Sequence, residues 1–192
     1  MFRNIDLAEY TDGKKYNAND MVRIACNDCQ GCSKCCHGMG NSIVLDPWDV
    51  KKLCQGLNTD FESLLKTTLE LNLTDDLILP NIKMQENTDG CIFLNDEGRC
   101  SIHDIRPGFC RMFPLGRLYE NGTFSYINQI NECDYKDKTK IKIKKWLEIP
   151  NLSEYEEFVQ NWHDFLTEKR NEIREHPENA KSICMEVLKY YY

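Results

Sequence analysis

Cys26-Asn-Asp-Cys29-Gln-Gly-Cys32-Ser-Lys-Cys35-Cys36 is the run from which the fold has to be read. Cys29, Cys32, Cys35 and Cys36 follow one another closely, and Cys26 adds one more Cys-x-x-Cys step upstream. A Cys-x-x-Cys loop brings two sulfurs close enough to share one metal ion, while the backbone between them turns its N–H groups toward sulfur. Overlapping loops followed by an adjacent pair make a dense thiolate nest, which is electrostatically poor unless a cation sits in it. The nest therefore predicts a bound metal or iron–sulfur centre. Because adjacent side chains diverge, Cys35 and Cys36 are read as serving different metals or opposite sides of a larger cluster.

Working outward, a looser set of cysteines follows at Cys91, Cys100, Cys110 and Cys133. Asn95-Asp-Glu-Gly98 is a turn between Cys91 and Cys100, which places both thiols at the base of a hairpin. The segment Cys100-Ser-Ile-His103-Asp-Ile-Arg106-Pro107-Gly108-Phe109-Cys110-Arg111-Met-Phe113-Pro114 is unusually specific. Its arginines, Arg106 and Arg111, can donate hydrogen bonds to anionic sulfur or to a bound anion. Its prolines hold the backbone away from helix, so that Cys110 points into a fixed site. The distance in sequence between the two groups is no obstacle. Each doubling of loop length costs only about 0.6 kcal/mol, whereas structural zinc contributes about 10–16 kcal/mol in small zinc peptides.

The order of these motifs, from Cys29-x-x-Cys32-x-x-Cys35-Cys36 through Cys91-Ile-Phe-Leu and Cys100-Ser-Ile-His-x-x-Arg106-Pro107-x-x-Cys110-Arg111-x-Phe113-Pro114 to Cys133, resembles the YkgJ-type cysteine-cluster family, described as a zinc- or iron-chelating domain. The resemblance spans about residues 26–135. It implies a ligand set of Cys29, Cys32, Cys35, Cys36, Cys91, Cys100, Cys110 and Cys133. His103 stands where the family usually has an aromatic residue, so no role is carried to it. Cys26, Cys54 and Cys184 lie outside the pattern; Cys54 and Cys184 fall in predicted helices and read as small core residues. The flagellin lysine N-methylases share the cysteine pattern. That resemblance adds an iron–sulfur cluster and methyl transfer to what the family implies, although those proteins are much longer.

Metal identity is weighed on spacing. Zinc structural sites take four ligands, usually as two separated Cys-x-x-Cys units. Here the loops overlap, and Cys29, Cys32 and Cys35 are similar to the bacterial ferredoxin run in which three cysteines wrap one cubane, though no fourth cysteine followed by proline is present. An iron–sulfur cluster of 4Fe-4S type is the favoured cofactor and zinc the alternative. The eight cysteines allow two four-thiolate sites, one cluster plus one zinc, or a polynuclear centre. His37, beside Cys36, is a candidate replacement ligand or outer donor, and Cys26 is left open.

Composition narrows the class. The 192 residues are 41% hydrophobic and 29% charged, which is ordinary for one globular domain with an extension. Eleven cysteines without an apolar secretory core in Met1–Tyr10 argue against a secreted disulfide scaffold and give a cytoplasmic expectation. No apolar run approaches the roughly 18 residues that span a bilayer. A net charge of −7 makes nucleic acid an unlikely partner. The exception is Lys136-Asp-Lys138-Thr-Lys140-Ile-Lys142-Ile-Lys144-Lys145. It reads as a solvated element with Ile141 and Ile143 inward, or as a docking patch for an acidic partner or for RNA, although no interleaved aromatic ladder supports RNA.

The chain divides into a lead-in at 1–25 with little periodicity, a cysteine-cluster metal-binding domain at 26–135 and a helical extension at 136–192. Asn41–Leu45, Leu77–Leu79, Cys91–Leu94 and Thr123–Ile127 read as strands. A helix opens at Asp46-Pro47 and ends at Gly56; a second, capped at Thr59, covers about 60–71. Ser153-x-x-Glu156 opens a long helix with Tyr155, Phe158, Val159, Trp162, Phe165, Leu166 and Ile173 on its apolar stripe, and a last helix covers about 177–190 with Ile183, Val187 and Leu188 inward. The expected class is α+β: a cysteine-rich, metal-tied loop region with a few short strands, flanked by amphipathic helices.

The leading functional expectation is a cytosolic metal-binding protein whose centre supports redox or group-transfer chemistry. One alternative is a cluster-dependent methyltransferase or other modifying enzyme acting on a peptide or small molecule; another is a zinc-binding structural or adaptor protein. No glycine-rich nucleotide loop and no Ser-His-Asp or paired-carboxylate signature is present.

Overall fold

Asp46-Pro47 is the strongest helix start in the chain, and a helix begins there. The computed structural model describes residues 7–26, 32–133 and 135–192. In order, these form helical turn α1 (Leu7–Tyr10), strand β1 (Met21–Ala25), a 3-10 turn at Lys34–Cys36, helices α2 (Pro47–Leu57) and α3 (Phe61–Thr67), and strands β2 (Leu69–Thr74) and β3 (Leu77–Ile82). A 3-10 turn at His103–Ile105 leads into short helix α4 (Gly108–Met112) and strands β4 (Leu115–Glu120), β5 (Thr123–Asn128) and β6 (Thr139–Lys142). Helices α5 (Ile143–Leu147), α6 (Leu152–Glu175) and α7 (Ala180–Tyr191) complete an α+β fold.

Local chemistry explains the boundaries. The Asp46 carboxylate accepts from the Asp49 N–H at 2.8 Å, and Pro47 occupies the first helical position of α2. The helix does not stop at Gly56. It ends on Asn58, in the left-handed region at φ 51°. Gly56 has a packing reason instead: a Cβ there would lie 2.4 Å from Ile105 Cδ1, in the space that the Ile105 side chain fills against α2. Helix α3 is capped by Asp60, not Thr59, through a 2.8 Å bond from the Ser63 N–H. It ends at Thr67, with Thr68 as its C-cap, because Leu69–Thr74 form β2, paired with β3 from Leu69↔Ile82 to Thr74↔Leu77. The joining residues Asp75 and Asp76, at φ 46° and 73°, make the tight hairpin turn.

Two expected strands are not strands. Asn41–Leu45 lies beside β3, with Leu45 N–H donating to Pro80 O at 2.9 Å and Ile82 N–H to Ile43 O at 3.2 Å, but it makes only one bridge, Val44↔Asn81. Cys91–Leu94 is a turn closed by the bridges Met84↔Cys91 and Leu94↔Cys100. The capping box at Ser153 is also not used: Asn151, at φ 53°, precedes α6 without a side-chain cap bond. The last helix proper begins at Ala180 after a 3-10 turn at Pro177–Asn179; Ile183 and Val187 are buried and Leu188 is half-buried.

Among the described residues the strands make two-stranded antiparallel ladders, β1–β6, β2–β3 and β4–β5. The first joins distant ends of the chain, with Val22↔Ile141 and Arg23↔Lys140. Residues 21–25 thus alternate after all: Val22 and Ile24 are buried and Met21 and Arg23 exposed. Ile141 packs partly, and Ile143 fully, into the same core.

Apolar packing falls into separate clusters. One, beneath the cysteine loops, includes Ile43, Leu45, Leu53, Leu69, Ile82 and Phe93. A second joins Val22, Ile24, Leu115, Tyr126, Ile143 and Leu147. A third packs the α6 stripe at Leu166 and Ile173 on Leu77, Leu79, Ile183 and Val187. Each fully buried side chain of this kind contributes about 1.5–3 kcal/mol, so the helical end has a core that owes nothing to the cysteine loops. No helix among the described residues is long and apolar enough to cross a membrane.

Candidate metal centre

The two cysteine groups meet through the backbone. Cys35 and Cys36 sit on the Lys34–Cys36 turn, and Cys91 N–H donates to Cys36 O at 2.6 Å. Gly38 N–H reinforces the junction with a 2.9 Å bond to Asp89 O. Asn95 then builds the expected turn: its side-chain oxygen accepts from the N–H groups of Glu97 and Arg99 at 3.1 and 2.8 Å, which returns the chain so that Cys100 bridges Leu94. Cys110 rides on α4. The first residue of α4, Gly108, donates its N–H to the buried Asp49 carboxylate of α2 at 2.8 Å. A Cβ on Gly108 would stand 1.8 Å from Tyr155 Oη, so glycine is what lets α4 approach α6.

The result is a cavity of about 430 Å³ bordered by Cys35, Cys36, Cys91, Cys100 and Cys110, with Cys26 and Cys32 also on its wall. A neighbouring cavity of about 260 Å³ is bordered by Cys26, Cys32, Cys35 and Cys133. Cys133 does not reach the larger one, and Cys29 lies outside the described residues. Cys184 is buried in the helical core, and Cys54 packs partly on the core beneath the cysteine loops. His37 is exposed, with Nε2 3.4 Å from Ser33 Oγ, and borders neither cavity. None of the described cysteines is in a disulfide. Among the described residues no three Cys, His, Asp or Glu side chains stand close enough to form a finished cage; the thiols border common spaces instead.

Their electrostatics are those of buried, crowded thiols. Hydrogen bonding from the neighbouring Cys36 thiol, helped by the Arg106 charge, brings Cys35 down to about 7 despite burial. The Cys35 sulfur and burial push Cys36 up, with the sulfurs of Cys110 and Cys91 adding. Burial raises Cys91 and Cys100 and drives Cys110 well up, and neighbouring sulfurs add to each. A soft cation among these groups would reverse the balance, because a coordinated thiol is held as thiolate. The donor set therefore fits zinc or an iron–sulfur cluster, which are the usual partners of clustered thiolates.

The sign of the pH dependence follows. Thiols raised in the folded state contribute stability in full below the unfolded thiol pKa of about 8.5 and lose it as pH rises above that value. Cys35 runs the other way, its contribution lost as pH falls through about 7, but it is outnumbered. Metal uptake displaces the protons, so metal affinity climbs with pH. Metal-stripped protein should melt lower at about pH 9.5 than at about pH 7, while metal-loaded protein should not. Parallel melting shifts in the two forms would contradict this.

Arg106 and Arg111 border the larger cavity, but much of their hydrogen bonding is structural. Arg106 donates to His103 O at 2.9 Å and pairs with Glu148 at 3.3 Å. Arg111 donates to Arg106 O at 3.0 Å, to Glu148 O at 3.3 Å and to Asp104 O, which ties the Cys100–Cys110 loop to the end of α5. Asp49 carries no ligand motif that would single it out in the sequence; it is buried and positions the helix that carries Cys110.

Compared with known families, residues 28–134 match CxxCxxCC, described as "Putative zinc- or iron-chelating domain". No curated protein and no solved structure matches the chain.

Proposed function

The chain belongs to the CxxCxxCC family of metal-chelating domains, and on that premise we propose that its larger cavity holds an iron–sulfur cluster of 4Fe-4S type, serving redox or group-transfer chemistry. One observation carries the reading: the Cys91 N–H to Cys36 O bond brings separate chain segments together, so that Cys36, Cys91, Cys100 and Cys110 border one space much larger than a single ion needs. Four cysteines suffice for a cubane. Arg106 and Lys145, on the same wall, oppose the negative charge that the thiolates bring. When bound, such a cluster supplies one-electron redox or Lewis-acid chemistry; the chain supplies its position, its charge environment and the exclusion of water. Thiolate ligation also suits a reducing compartment, so we place the protein in the cytoplasm.

In this reading residues 26–135 are the metal-binding unit. The β1–β6 ladder clasps its two ends, and the rest of 136–192 packs on it as a helical extension. The room beside Arg106 favours a second reading, a modifying enzyme acting on a peptide or small molecule. The exposed side chains of Lys140, Lys142, Lys144 and Lys145 would suit an acidic protein partner of an adaptor. The test is anaerobic purification followed by an absorption spectrum and analysis for iron, acid-labile sulfide and zinc. The expected result is a brown protein with iron and sulfide in equal amounts. A colourless protein with stoichiometric zinc would overturn the cluster and leave the family's other metal.

A further inference from the structure

The two cavities divide the sulfurs between them. Cys36, Cys91, Cys100 and Cys110 border only the larger, and Cys133 borders only the smaller. Cys26, Cys32 and Cys35 stand on the wall between, together with Phe113 and Trp146. Trp146 is fixed there by its indole N–H, which donates to Phe113 O at 3.1 Å.

Cys26 lies before the matched residues 28–134, yet the residue before it, Ala25, is held by a long-range pairing with Thr139. It follows β1 directly, and the β1–β6 register, Ala25↔Thr139, sets it beside the segment that leads into β6. That segment contains Cys133, whose carbonyl accepts from Lys138 Nζ, while Lys138 O accepts from Arg23 at 3.3 Å. The ladder therefore presents Cys26 and Cys133 to the same space. Cys26 is 5% exposed. The other walls mix Phe113, Pro114, Tyr135 and Trp146 with Lys34 and Glu132. A soft cation among these sulfurs would hold them as thiolates.

We infer that Cys26, Cys32 and Cys133, with Cys35 on the shared wall, form a second metal site of mononuclear, zinc type, beside the larger one. Among the described residues four sulfurs then serve each space, in keeping with tetrahedral thiolate zinc on one side and a four-cysteine cluster on the other. The adjacent Cys35 and Cys36 become the junction between them. The inference rests on the preceding reading for the identity of its neighbour, but it uses a different set of sulfurs.

The experiment uses the full chain, prepared anaerobically and loaded with zinc in addition to any cluster, with metals counted per chain. The variants are C26S, C133S and C110S. C26S and C133S should each lose one zinc equivalent and keep the iron and its absorption; C110S should lose the iron and keep the zinc. Cobalt alone, titrated into wild-type protein stripped of zinc, should give one equivalent of tetrahedral thiolate absorption, a readout that needs no variant to fold. Full zinc in both C26S and C133S, or the absence of that cobalt signal, would overturn the second site. Loss of zinc in C26S from a protein that never held iron would support the second site while removing the cluster from the first.

Discussion

Serine at both Cys91 and Cys110 should empty the larger cavity of metal and unfold the middle of the chain. The two residues come from different segments, the bridged turn after β3 and helix α4, so the pair removes the tie as well as two donors. A hydroxyl is a poor ligand for the soft ions that thiolates select. The substitutions are nearly isosteric, so packing alone accounts for little; an unpartnered buried hydroxyl costs about 1–3 kcal/mol. The metal accounts for much more. Structural zinc contributes about 10–16 kcal/mol in small peptides, as much as the whole stability of a typical domain, about 5–15 kcal/mol. Urea unfolding should show the variant far less stable than loaded wild type but close to chelator-treated wild type. A variant that kept wild-type metal content and midpoint would remove these cysteines from the ligand set.

The second large effect belongs to a residue that carries no ligand. Gly108→Ala would place a Cβ 1.8 Å from Tyr155 Oη and 2.9 Å from its Cζ. Tyr155 cannot easily yield. It is 1% exposed, sits edge-on to Trp48 at 5.7 Å, and accepts from Arg117 at 3.3 Å. The strain therefore falls on α4, which must retreat from α6 and stretch the Gly108–Asp49 bond. Overpacking of this kind costs about 1–3 kcal/mol, and loss of a hydrogen bond to a carboxyl held back from ionising adds about 0.5–1.5 kcal/mol. At about 2–4 °C of melting temperature per kcal/mol, the drop should be on the order of 3–18 °C. Because Cys110 moves with α4, metal should also be lost to a competing chelator at least about tenfold more readily, the equivalent of ~1.4 kcal/mol. Unchanged melting and unchanged metal retention would show that α4 is not held by this contact.

Asp49→Asn should be mild by comparison. Burial and the nearby Asp46 carboxylate raise the Asp49 carboxyl well above its usual range, so an amide of the same shape that still accepts from Gly108 replaces a group already reluctant to ionise. Asp49→Ala removes the acceptor and should cost about 1–3 kcal/mol. A thermal melt compares the two directly.

What the sequence made legible was local chemistry. The overlapping Cys-x-x-Cys steps, the Asp46-Pro47 start, the Asn95–Gly98 turn and the stripe through Tyr155, Val159, Leu166 and Ile173 each depend on residues a few positions apart. What it hid depends on distant partners. Met21–Ala25 is too short to announce itself as a strand until Thr139–Lys142 pairs with it. Leu69 fits a helical stripe as well as a strand, and only β3 decides for the strand. Gly56 reads as a helix end, but it sits within α2, and Gly108 opens α4; each makes room for a side chain that arrives from elsewhere, Ile105 and Tyr155. The division of the cysteines between two spaces is hidden for the same reason, since the β1–β6 register places Cys26.

Hydrogen exchange on the full chain, with and without its metal, tests the central claim most directly. Amides at Cys36–Gly38 and Gly90–Met112 should be protected in the loaded protein and exchange rapidly once metal is removed, because their order depends on the sulfur–metal tie. Amides of α6 and α7 should keep most of their protection, since Leu166, Ile173, Ile183 and Val187 pack on Leu77 and Leu79 without it. Equal protection of the cysteine loops in loaded and stripped protein would contradict a metal-organised centre.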